Sequence, residues 1–165
     1  MPPAHFLPDE EGNNSRPPLI GVLGVLTMVN CIVFLVIYAL GLVAMLFVRT
    51  LPMDRYQELL KLQMEQFAGL FPPEELAVMN DLAAVLHQQG ALLIGLLMIR
   101  TTARLIGAVG MWNGRRSGFH IYAVAQLGGI FLPHIVLPLH HMGITGPMLA
   151  VAFTALYGTQ LKRLI

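Results

Sequence analysis

Residues 19–48 run for 30 positions without a charge. At about 1.5 Å per residue, a helix of that length reaches roughly 45 Å, more than the hydrocarbon core of a bilayer. The pattern predicts a membrane span that tilts or projects. Three further apolar stretches follow, at about 82–112, 118–139 and 142–160. Together they predict an all-α fold, a four-span transmembrane helical bundle occupying residues 19–165. The segment between the first two spans, 49–81, has a different rhythm. Its apolar residues Met53, Tyr56, Leu59, Leu60, Met64, Phe67 and Leu70 recur at i, i+3 and i+4, as in an amphipathic helix lying on a membrane surface or over the bundle. Lys61 and Glu65 can pair across one turn of it. In "FPPEEL", Pro73 suits the first position of the next helix, and Glu74 and Glu75 favour its positive end.

Composition agrees with lipid as part of the solvent. Of 165 residues 56% are hydrophobic and 12% charged, about half the charged share of an ordinary soluble domain. A formal net charge of +1 offers no basic field for nucleic acid, so nucleic acid is not expected as a partner. The lone Cys31 excludes an intramolecular disulfide and reads as a small hydrophobe. Residues 1–18, rich in Pro, Asn and acidic side chains, predict a disordered cytoplasmic tail before an uncleaved anchor.

Charge placement orients the spans. Arg16, the Arg115–Arg116 turn and the Lys162–Arg163 end mark the cytoplasmic side. The 49–81 loop carries three basic residues against six acidic ones, and "PLHHMGITGP" carries no Lys or Arg, which suits the outer face. The expectation is a multi-pass protein of the cytoplasmic membrane with both termini inside.

Two charges break this order. Arg100 and Arg104 interrupt the second apolar run, and a guanidinium at mid-depth costs several kcal/mol. Burying residues 82–99 leaves both at the inner interface; burying 90–112 puts both near the middle, a choice to which Trp112 as an interfacial anchor pulls. A compromise places them in the inner leaflet, facing protein. The four-residue series His87, Ala91, Gly95, Ile99, Ala103 and Gly107 forms a mostly small stripe beside them, expected as a helix–helix seam. From its flank they could reach lipid phosphates, a backbone carbonyl or Gln126. Topology with headgroup contact is one role for them, and an anionic-ligand or ion-path site the other.

Gln126 needs a hydrogen-bond partner in lipid, and Ala125 with Gly129 would bring a neighbouring helix close enough to supply one. Pro133 and Pro138 are expected to kink or end the third span; Asn30 and Tyr38 are candidates for bonds between helices. His87, His134, His140 and His141 gather toward the outer side. Imidazoles are common metal ligands, and Met142 adds a thioether, yet the spacing matches no compact metal motif. They are expected as interfacial histidines, with a metal or haem as the chemical alternative. No P-loop, GxSxG elbow or Rossmann glycine pattern is present, so no enzymatic activity is indicated.

The stretch "RLIGAVGMWNGRRSGFHIYAVAQLGGIFLP", residues 104–133, resembles small uncharacterised multi-span bacterial membrane proteins: Met-Trp closing one span, a short basic turn, then Gly-Phe, an aromatic residue and a Gln in the next. That resemblance implies the bacterial cytoplasmic membrane and transfers no catalytic residue. Three roles follow. The first is a structural or protein-interaction component that packs with lipid, itself or other membrane proteins. The second is a carrier or binding protein for a small anionic ligand or lipid through Arg100, Arg104 and Gln126. The third is a metal- or haem-bearing redox protein through His87, His134, His140 and His141.

Overall fold

The computed structural model describes residues 6–67, 73–137 and 143–165. Among these the chain is all α, with five α-helices: α1 Pro18–Val48, α2 Met53–Phe67, α3 Pro73–Trp112, α4 Arg116–Ala123 and α5 Thr145–Gly158. Two stretches, Pro18–Val48 and Leu82–Trp112, are long and apolar enough to cross a membrane. They pack antiparallel, Gly24 against Trp112, Gly41 against Ile94 and Met45 against Gly90. α2 matches the amphipathic segment and packs on α3, though Leu70 lies outside the described residues. Its Tyr56 is buried while Leu59 and Leu62 are exposed. Pro73 opens α3, as its fixed φ and missing N–H favour.

α3 ends in a way its sequence dictates. Gly114 takes φ +81°, a conformation only glycine adopts cheaply. Its N–H donates to Met111 O at 3.0 Å, and Arg115 N–H donates to Gly110 O at 3.0 Å. This double closure reverses the chain at "NGRR" and lays α4 back on α3. Gly107, Gly110 and Gly118 let the two backbones touch: a Cβ on Gly118 would stand 2.7 Å from Gly107 O.

The expected third span is not one uniform helix. After α4 the coil widens into a π turn, Val124–Gly128, and then tightens to a 3-10 turn, Leu132–Ile135. Gly128 and Gly129 weaken the helix there, and Pro133 has no N–H with which to continue it. The regular part of the last apolar stretch is the 14-residue α5, Thr145–Gly158. The expected boundary between the third and fourth spans, at 139 and 142, lies outside the described residues.

The small-residue stripe also divides. Gly107 meets α4, whereas nothing stands within 4 Å of a Cβ on Gly95 and Ile99 is exposed.

From Phe6 onward the N-terminal segment, where composition predicts a disordered tail, is laid along the C-terminal end. Phe6 is 4% exposed and joins Ile20, Leu23, Met111, Tyr122, Tyr157 and Leu164 in one core. Arg163 is the reason. Its guanidinium donates to Leu7 O (2.8 Å), Asn13 O (3.0 Å) and Ser15 O (3.1 Å) and pairs with Asp9 at 3.2 Å. Arg16 lies 3.8 Å over the Trp112 ring and donates to Trp112 O, which ties the start of α1 to the end of α3.

The Asn13 amide, followed by Arg163 and the Glu11 amide, holds the Asp9 carboxyl below its ordinary range. A lowered folded-state value means that this contribution is whole at and above the ordinary carboxylate range and is lost as pH falls through the lowered value. The latch is therefore expected to hold from neutral pH into mild acid and to loosen only in strong acid. Amide exchange at Leu7 measured against pH checks this; loosening already near pH 6 would contradict it.

Candidate functional site: an arginine pair inside the bundle

Arg100 and Arg104 stand one turn apart on α3. On the register set by the Gly24, Gly41 and Gly90 contacts, they are level with about Leu35 and Cys31 of α1. That straddles Val33, the middle of α1, about 23 Å from either end. Neither arginine sits at the level of an end of α1.

Both line one cavity of about 440 Å³, together with Leu26, Thr27, Asn30 and Phe34 of α1, Gln126 of the π turn, and Gly146, Leu149, Ala150 and Phe153 of α5. The structure thus brings together Arg100, Arg104 and Gln126, the three residues that the sequence marks as an anion site. The volume is in the range of small-ligand sites.

The π turn shapes this wall. Gly129 N–H donates to Ala125 O and Ile130 N–H to Leu127 O, both at 3.2 Å, so the backbone pattern steps past the Gln126 carbonyl. Arg100 Nη2 reaches that carbonyl at 3.4 Å. Gly129 makes room for it, since any Cβ there would run into Arg100 Nε. Sequence spacing pairs Ala125 with Gly129 as a helix–helix contact; the gap in fact admits a guanidinium.

Several polar atoms remain unmatched. The Nε atoms of Arg100 and Arg104, Tyr122 Oη and Gln126 Oε1 are buried with no hydrogen-bond partner among the described residues. Gln126 as a whole is 5% exposed. Beneath the cavity, Thr27 Oγ1 and Tyr157 Oη share a hydrogen bond of 2.9 Å, and the Tyr122 and Tyr157 rings meet edge to face at 4.8 Å.

Charge is one-sided. No Asp or Glu stands between Leu82 and Ile165, nor within α1, and the cavity lining contains none. Two cations one helical turn apart repel each other, and buried charges are ordinarily paired.

The two described histidines of that set each bond a backbone carbonyl. His87 Nε2 donates to Leu51 O at 3.0 Å, and its ring packs against Tyr56 at 5.2 Å, clasping the α1–α2 corner to α3. His134 Nδ1 donates to Leu137 O at 3.3 Å in the 3-10 turn. His140 and His141, with Met142, lie outside the described residues. Among those described, no three of His, Cys, Asp and Glu stand where they could hold a metal ion.

Sequence reasoning missed the α5 wall, Leu149, Ala150 and Phe153, because α5 carries no charged or amide side chain to draw attention. It also missed what Gly129 makes room for. A usable signal was present in the run of 84 residues from Leu82 to Ile165 without a single acid.

No family model matches the chain, and neither a curated protein nor a solved structure matches it.

Proposed function

We propose that the chain is a four-span integral protein of the cytoplasmic membrane, both termini inside, that binds an anionic group through Arg100, Arg104 and Gln126. The group is a small ligand or a lipid headgroup, and the role is binding or carrying it rather than chemistry upon it. The carrying observation is the pair of half-buried arginines sharing a cavity at the level of the middle of α1, with no acid in the cavity lining, in α1 or in residues 82–165.

A membrane setting accounts for the outer surface. Leu40 of α1 is 68% exposed, and Ile144 before α5 is 75% exposed. Exposed apolar faces of this extent belong against lipid or a partner. In that setting a span centred on Val33 puts the guanidiniums near mid-depth. Each would cost at least about 2.5 kcal/mol unless matched, which makes an intramembrane arginine a functional site by default. A purely structural role has the arginines orient the chain at the headgroups, and their level on α1 fits that role less well.

Native mass spectrometry of gently extracted protein tests the proposal. One anionic species per chain is expected to remain bound, and the Arg100→Gln/Arg104→Gln variant, checked for unchanged helix content, is expected to retain at least about tenfold less. Equal retention by both proteins would overturn the anion site.

A further inference from the structure

We infer that the ligand is an amphiphile with a phosphomonoester headgroup, which enters sideways between α1 and α5 and leaves its apolar tail in that gap. This rests on the anion-binding reading above and narrows it.

Charge selects the headgroup. The cavity lining holds two guanidiniums and no acid, so a monoanion would leave one net positive charge in an apolar surround. A phosphomonoester carries about −1.5 to −2 at neutral pH and three strong acceptor oxygens. That balances the pair, and planar guanidiniums bind phosphate oxygens in a two-pronged geometry. Among the described residues Arg100 makes one side-chain hydrogen bond, to the Gln126 carbonyl, and Arg104 lines the same cavity, so guanidinium N–H groups are left for such oxygens.

The walls select the tail. α1 packs on α3, while α5 packs on α4 and the π turn; the cavity lies between the two helices. Its α1 and α5 sides carry Leu26, Phe34, Leu149 and Phe153, of which the first three are exposed. The Thr27–Tyr157 hydrogen bond joins the two helices below. A free phosphate would meet the arginines but leave this apolar flank without a role. A chain attached to the phosphate occupies it and passes directly into lipid.

The test uses full-length protein in nanodiscs of phosphatidylcholine, titrated with phosphatidic acid, phosphatidylglycerol and inorganic phosphate, and read by native mass spectrometry. Phosphatidic acid is expected to bind at least about thirtyfold more tightly than inorganic phosphate and about tenfold more tightly than the phosphodiester phosphatidylglycerol, with both preferences lost in Arg100→Gln/Arg104→Gln. Equal, arginine-dependent binding of the two lipids would overturn the phosphomonoester assignment. Arginine-dependent binding of inorganic phosphate with no gain from the lipid tail would overturn the amphiphile while the anion site stands. Binding that ignores the arginines in every arm would overturn this inference and the anion site together.

Discussion

Gly118→Ala is expected to destabilise the fold by about 3 kcal/mol, the upper part of the range for forcing volume into a packed interior. The added methyl would stand 2.5 Å from Met111 N, 2.7 Å from Gly107 O and 2.7 Å from Gly110 C. All three are backbone atoms of α3, so no side chain can turn aside and the helices themselves must part. Parting them loosens Met111 and Tyr122, both fully buried. It also strains the turn at which Ile165 N–H donates to Gly114 O and Arg116 N–H to Ile165 O. Gly128→Ala is the control, because nothing stands within 4 Å of its Cβ and alanine is the better helix former. Thermal unfolding of the two variants in one detergent decides the matter. A Gly118→Ala midpoint no lower than that of Gly128→Ala would show that α3 and α4 do not meet backbone to backbone.

What the sequence made legible follows from how locally each feature is determined. The charge-free run of α1, the i, i+3, i+4 series of α2 and the Pro73 start of α3 are written within single turns, and helices stand there. The fate of residues 6–17 depends on Arg163, about 150 positions away, whose contacts with three carbonyls and Asp9 no local composition can reveal. The break after Ala123 depends on what the widened turn leaves beside it. Only the arrival of Arg100 gives the Gln126 carbonyl a partner and Gly129 a reason to lack a side chain. The site was half legible for the same cause. Arg100, Arg104 and Gln126 are conspicuous because polar groups in apolar runs are costly. Their level on α1 needed the antiparallel register, which lies in the meeting of Gly24 with Trp112 and Gly41 with Ile94. The apolar wall from α5 offered no outlier at all.

Gln126→Glu is expected to weaken anion binding about a thousandfold while leaving the protein folded. Gln126 is buried in the same cavity wall as both guanidiniums, and the exchange of amide for carboxylate preserves shape. A carboxylate there is a built-in counterion. At about 4 Å and an effective dielectric near 20, it interacts with a unit charge by about 4 kcal/mol. It attracts the guanidiniums by an amount of that order and repels an incoming anion by a similar one; 4 kcal/mol alone is close to a thousandfold in Kd. Ionisation of the new acid is favoured by the arginine pair and opposed by burial; two cations against one carboxylate decide for the charged form. Stability is expected to be unchanged or higher, because the glutamate supplies the negative charge that α1 and residues 82–165 lack. The double arginine variant behaves differently, since it loses binding by removing the cations and gains no ion pair. Titration of phosphatidic acid in phosphatidylcholine nanodiscs, with thermal unfolding of the same samples, checks both halves. Wild-type binding by a folded Gln126→Glu protein would mean that any bound anion sits elsewhere than beside Gln126.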